Sequence, residues 1–154
     1  MTDSKPAILA VDDDPQVLSS VGRDLRTQYG SKFRIVAAPG GPEALDAAQQ
    51  LHERGDDIAL FLVDQRMPTM EGTDLLGRVG PLFPNAAKVL LTAYADTDAA
   101  IAAINEIGLD HYLMKPWDPP EQKLYPVLDD LLDDWTRNVR PRTEDIRVMG
   151  TRYS

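Results

Sequence analysis

Five short apolar runs punctuate the chain: Ala7-Ile8-Leu9-Ala10-Val11, Phe33-Arg34-Ile35-Val36-Ala37, Ile58 to Val63, Lys88-Val89-Leu90-Leu91-Thr92 and His111-Tyr112-Leu113-Met114. The first and third are continuously hydrophobic, as strands covered on both faces are. Between the runs, apolar residues recur at helical spacing. Val17, Leu18, Val21 and Leu25 share a face after Asp14-Pro15, a capping residue followed by a proline suited to the first helical position, and Gly30 is placed to end that helix. After a Pro39-Gly40-Gly41-Pro42 turn, Ala44, Leu45, Ala48 and Leu51 mark a second helix closing at Gly55. A third is predicted over Glu71 to Val79, with Leu75, Leu76 and Val79 inward, and a fourth over Asp96 to Ile107, with Ile101, Ile104 and Ile107 in one stripe. The last runs from Pro120 or Pro126 to Asn138 and turns Leu124, Val127, Leu128, Leu131 and Trp135 inward. Its start stays open, because a proline inside a helix removes a hydrogen bond. Five strands alternating with five helices predict an α/β fold: a doubly wound parallel sheet covered on both faces. From Val139 the pattern changes. One domain is expected over 6–138, and 139–154, where Ile146, Val148 and Met149 alternate weakly, reads as a linker or the first strand of a further domain.

Polar residues follow four of the runs directly. Asp12 and Asp13 follow the first, Asp64 the third; Thr92 closes the fourth, and Lys115 follows the fifth. Parallel strands share a direction, so these positions lie together in the crevice outside the carboxyl ends of the sheet. Taken singly, each has an ordinary reading: a solvated loop, a cap, a β-branched strand residue, a solvated charge. Taken together they make a site. Carboxylates that converge repel one another and stay ionised only when a cation compensates. An all-oxygen donor set suits Mg²⁺, which binds one or two carboxylates together with phosphate. A lysine and a threonine hydroxyl facing the same point can hold phosphoryl oxygens. The chemistry implied is phosphoryl transfer, with an aspartate as nucleophile or a water attacking.

Charge and composition narrow the classes. A formal net charge of -9 argues against nucleic-acid binding, which needs clustered Lys and Arg on phosphates. The chain has no cysteine, which excludes disulfides, thiol catalysis and thiolate metal sites. The sequence holds no long apolar run and its first residues no apolar signal core, so a cytoplasmic protein without a membrane partner is expected.

The motifs together resemble the receiver domain of two-component response regulators over about Ile8 to Trp135: a strand then Asp12-Asp13, a strand then Asp64-Gln65-Arg66-Met67-Pro68-Thr69-Met70-Glu71-Gly72, a strand then Thr92-Ala93, and Tyr112-Leu113-Met114-Lys115-Pro116. The resemblance implies a flavodoxin-like sheet of order 2-1-3-4-5. It implies that Asp64 takes a phosphoryl group from a phosphohistidine on a histidine kinase or phosphotransfer protein. Asp13, Asp64 and the backbone carbonyl of Arg66 would ligate Mg²⁺, with Asp12 acting through a water. Lys115 would pair with Asp64 and then with the phosphoryl oxygens. Thr92 would move in to hydrogen-bond them, and Tyr112 would rotate inward as the switch aromatic. Ala93 leaves phosphodonors access, while Arg66 and Tyr94 flank the phosphoryl position. Such a domain catalyses only its own phosphorylation and dephosphorylation. Its fourth helix, fifth strand and last helix form the surface receivers use for output or homodimerisation.

Three stretches, 91–98, 105–120 and 124–135, also resemble receivers fused to a thioredoxin-reductase-like flavoprotein, with Ile146-Arg147-Val148-Met149-Gly150 leading into the missing part. The chain itself has neither a Gly-x-Gly-x-x-Gly fingerprint nor a Cys-x-x-Cys, so no flavin or disulfide chemistry can belong to it; by this resemblance such chemistry would lie in a covalently linked output domain. Two other readings stand beside the receiver. A haloacid-dehalogenase-type phosphatase also uses an aspartyl phosphate, but Gln16 stands where its Asp-x-Asp signature needs threonine or valine. A receiver fold can also serve as a phosphorylation-independent interaction module.

Overall fold

The computed structural model describes residues 5–93, 98, 101–102, 106–117 and 119–149, with 139–149 described by their backbone alone. Its strands are β1 (Ala7–Val11), β2 (Arg34–Ala38), β3 (Ile58–Asp64), β4 (Ala87–Thr92) and β5 (His111–Met114). They form one parallel sheet in the order β2-β1-β3-β4-β5, the predicted doubly wound arrangement. The helices whose bounds lie within the described residues are α1 (Pro15–Tyr29), α2 (Gly41–Glu53), α3 (Gly72–Val79), α4 (Pro120–Lys123) and α5 (Tyr125–Met149).

The two-sided hydrophobicity of the central strands has the expected consequence. On one face, Leu9 and Val11 of β1 and Phe61 and Val63 of β3 pack against Ala44, Ala48 and Leu51 of α2 and Leu75, Leu76 and Val79 of α3. On the other, Ile8, Ala10, Leu60 and Leu62 pack against Val21 and Leu25 of α1 and Leu128, Leu132 and Trp135 of α5. A register shift between Ala7 and Ile8 against β3 turns the consecutive Ala59 and Leu60 to the same face.

Helix starts follow local chemistry. Asp14 caps α1, its carboxylate accepting from the amides of Gln16 and Val17 at 2.9 and 3.4 Å. The turn expected at Pro39 to Pro42 is shorter than predicted, because α2 already begins at Gly41, with Pro42 in its first turn. The chain leaves α2 through Gly55, whose φ of +80° favours glycine.

The last helix departs from expectation in two ways. It is divided: α4 ends at Lys123, and α5 begins at Tyr125, which places Pro126 in a first turn, where its missing N–H is not needed. It also continues past Asn138 to Met149, so the alternating Ile146, Val148 and Met149 lie on helical backbone rather than on a strand. The helix predicted over Asp96 to Ile107 falls mostly outside the described residues, as does Tyr94; Asp98, Ile101, Ala102 and Glu106 are helical.

Helix α5 is clamped to α1. The Tyr29 hydroxyl donates to Asp129 Oδ1 at 2.8 Å, and its ring meets Tyr125 edge-on at 5.8 Å. Burial, then the Asp129 carboxylate, holds this phenol protonated well above the ordinary tyrosine range. Tyr29→Phe is expected to lower unfolding stability by about 1 kcal/mol in urea titration, the usual worth of one such bond.

Candidate functional site

The carboxyl ends of β1, β3 and β4 and the loop after β5 converge as predicted. Asp12 and Asp64 are buried, Asp13 beside them is exposed, and carboxylate oxygens of all three lie within 4.8 Å of one another. Lys115 reaches in from beyond β5 and bridges the buried pair, its Nζ standing 3.0 Å from Asp12 Oδ2 and 2.8 Å from Asp64 Oδ1. Thr92, fully buried at the end of β4, donates its hydroxyl to Ala93 O at 2.9 Å. Ala93 itself is small and exposed.

Electrostatics follow from this geometry. Burial, the largest influence, lifts the Asp64 pKa to about 6; the Lys115 hydrogen bond opposes the rise and the negative charge of Asp12 adds to it. Burial also works against the charge on Lys115, but the hydrogen bonds to Asp64 and Asp12 outweigh it and the ammonium pKa is raised. The site thus holds three carboxylates against one lysine, an excess of negative charge in a partly dry crevice. The other oxygen of Asp12, Oδ1, accepts the amide of Asp14 at 2.9 Å, whereas among the described residues Oδ2 has only the Lys115 ammonium beside it, at 3.0 Å. An all-oxygen set with a net negative charge and an incompletely satisfied buried carboxylate fits a hard divalent cation such as Mg²⁺.

Two residues that shape the site carry motif letters but no role in the sequence reading. Gln65 is buried, extends the β3–β4 pairing through its amide to Leu91 O, and accepts the Thr73 amide at 3.0 Å on its side-chain oxygen, so it starts α3. Gly72 lies so close to the end of β3 that a Cβ there would stand 2.4 Å from Asp64 O. Met67 sits in the core and pins the loop between them. The signal for Gly72 is a glycine, a poor helix former, at the first helical position after Glu71; Gln65 offers no comparable signal. Arg66 is exposed two residues after Asp64. Tyr112 is half-buried on β5 against the face that carries α2 and α3.

The model of the response regulator receiver domain matches residues 8–124. The chain belongs to that family. Receiver relatives include the hydrogenase transcriptional regulatory protein HoxA of Cupriavidus necator, 30% identical over 77% of this chain and 23% of its own length. The transcriptional regulatory protein PrrA of Mycobacterium tuberculosis is 34% identical over 74% of this chain and 45% of its own length. The chain therefore spans about a quarter of the first of these regulators and under half of the second. A CheY-like receiver domain protein from Methanospirillum hungatei superposes with a TM-score of 0.71 at 30% identity, over 86% of this chain and 97% of that one. Receivers are signalling modules of two-component systems rather than metabolic enzymes, work with histidine kinases or phosphotransfer proteins, and bind Mg²⁺ in an acidic pocket. The family assignment corrects the phosphatase alternative. The flavoprotein fusion is not borne out by these relatives, which are named as transcriptional regulators. Among the described residues, no helix is long and apolar enough to cross a membrane.

Proposed function

We propose that this receiver is a working phosphoacceptor and that Asp64 is the residue modified. The observation that carries the reading is the Lys115 ammonium bridging Asp12 and Asp64 inside a triple-carboxylate pocket. An Asp64 carboxylate oxygen attacks the phosphorus of a kinase or phosphotransfer-protein phosphohistidine. The new O–P bond forms as the P–N bond breaks, and the electron pair returns to the imidazole nitrogen. Asp13, Asp64 and the Arg66 backbone carbonyl would hold Mg²⁺, with Asp12 acting through a water, and the ion would supply positive charge against the transferred oxygens. Lys115 is already at the nucleophile and needs only to shift its pairing from carboxylate to phosphoryl oxygen. Thr92 must give up its bond to Ala93 O to donate to the phosphoryl group, which makes it the element that registers phosphorylation. Tyr112, on the neighbouring strand, follows by rotating inward. Ala93, small and exposed, leaves the donor a path to Asp64, and Arg66 flanks the phosphoryl position.

The reading places the receiver at 6–138 and a linker at 139–154 in a cytoplasmic protein. The domain controls a covalently joined output module, directly or through homodimerisation on the β5–α5 side. A thioredoxin-reductase-like flavoprotein and a transcriptional module predict different downstream sequence, and the reading frame beyond Ser154 decides between them.

The test is an intact-mass spectrum after incubation with acetyl phosphate. The expected result is one phosphoryl adduct that requires Mg²⁺, disappears with a chelator and maps to Asp64. No adduct, under conditions where a control receiver labels, would leave the chain as a phosphorylation-independent interaction module.

A further inference from the structure

Lysine side chains are long, and the one at the centre of this site depends on where its backbone is held. Lys115 lies just past the end of β5 (His111–Met114), in the irregular stretch before α4. Its amide donates to Thr92 O at 3.0 Å, which fixes one side of the loop to β4. The other side is fixed two residues later. Trp117 is 7% exposed, and its indole Nε1 donates to Asp24 Oδ2 of α1 at 3.0 Å. Asp24 is itself held in place: its side chain is 15% exposed, and its backbone carbonyl accepts the Tyr125 hydroxyl at 3.0 Å. A buried indole N–H needs an acceptor, and a carboxylate is the strong choice. The ring packs in the cluster between the sheet, α1 and α5, so packing alone accounts for its burial but not for where the N–H points.

We propose that the Trp117–Asp24 hydrogen bond is a tether that holds Lys115 in register with Asp12 and Asp64, making Trp117 and Asp24 positioning residues of the pocket. Asp24 touches none of the reacting groups. It acts through the loop, by keeping the Lys115 ammonium within 3.0 Å of both carboxylates. The consequence for phosphorylation rests on the phosphoacceptor reading, while the tether itself is a matter of where Lys115 stands.

The test reads Lys115 directly. Brief acetylation of the full chain with an amine-reactive ester, followed by digestion and mass spectrometry, gives the reactivity of each lysine. Lys115, paired with two carboxylates, is expected to be protected relative to the exposed Lys5 and Lys32. Asp24→Ala and Trp117→Phe should each raise its acetylation rate several-fold and leave Lys5 and Lys32 unchanged. Asp24→Asn keeps an acceptor oxygen and should restore protection. Equal Lys115 protection in every folded variant overturns the tether; if Asp24→Ala does not fold by circular dichroism, Trp117→Phe, which keeps an aromatic ring in place, carries the test. Where acetyl phosphate labels the wild type, the same two variants should label more slowly, with no further loss in a Lys115→Ala background. Additive losses there would also overturn the proposal. Because acetylation needs no phosphodonor, a failed tether and a failed phosphoacceptor reading give separate results.

Discussion

Asp64→Asn is expected to abolish the phosphoryl adduct and, in metal-free buffer at neutral pH, to make the protein more stable rather than less. The loss of labelling follows from the loss of the nucleophilic carboxylate. The gain in stability follows from the field around it. The Asp64 pKa is raised to about 6 in the folded chain, from an ordinary value of 3.8. Between those two values the native state holds a proton that the unfolded chain has released, so stability falls as pH rises through that window and the full penalty is present above it. Asparagine carries no charge to desolvate, and its carbonyl still accepts from Lys115. The expected gain at pH 7.5 is on the order of 1–3 kcal/mol, discounted for the lysine pairing that is weakened. It should shrink as pH falls toward 5 and vanish near 4. Added Mg²⁺ should narrow the gap from the other side, because it stabilises the wild type by mass action, by about 1.4 kcal/mol at ten times its dissociation constant. Urea titrations of both proteins at three pH values, with and without Mg²⁺, check the sign. A variant less stable than the wild type at pH 7.5 without metal would falsify the electrostatic account.

The same field explains why the site was legible in sequence. A carboxylate directly after an apolar strand has few structural reasons to be there, and parallel topology gathers such positions at one edge. Asp12, Asp13, Asp64, Thr92 and Lys115 could therefore be placed at one edge before any coordinates; the structure brings the three aspartates and Lys115 together, with the Thr92 carbonyl accepting the Lys115 amide. What the pattern could not carry is the support behind them. Gln65 acts through one amide acceptor at the start of α3, Trp117 through one N–H, and Asp24 through a partner 93 positions away in the chain. None of these contacts has a periodicity, and each depends on how two elements pack. The division at Leu124 was hidden for a related reason. The apolar face at Leu124, Leu128 and Trp135 runs through the break without interruption, and only the backbone shows where one helix stops and the next starts. The weak alternation near Ile146 misled because two or three apolar residues satisfy a strand and a helix equally well.

Gly72→Ala should be the most damaging one-methyl change near the site. The position does not need glycine for its dihedral angles, since its φ is not among the positive ones. It needs glycine for space. An added Cβ would stand 2.4 Å from the Asp64 carbonyl oxygen and 3.1 Å from both the Asp64 carbonyl carbon and Gln65 Cα. These are backbone atoms at the end of a central strand, so no flexible side chain can give way. Either β3 shifts at Asp64 or α3 lifts away from it. Lifting α3 stretches two bonds that start the helix, Gly72 N to Gln65 O and Thr73 N to Gln65 Oε1, both at 3.0 Å. Shifting β3 moves the nucleophile relative to Lys115, now 2.8 Å away. The expected cost is about 3 kcal/mol, at the upper end for overpacking a tight contact. It should come with a fall in the acetyl phosphate labelling rate under conditions where the variant is still fully folded. Gly77→Ala is the matched control. It lies in the same helix, and among the described residues its added Cβ would meet only Ile107 Cγ2 at 3.8 Å, an ordinary van der Waals distance. Alanine is also the better helix former by about 1 kcal/mol, so that variant should be neutral or more stable. Equal stability for the two variants would mean that the close approach at Gly72 relaxes freely and does not hold Asp64 in place.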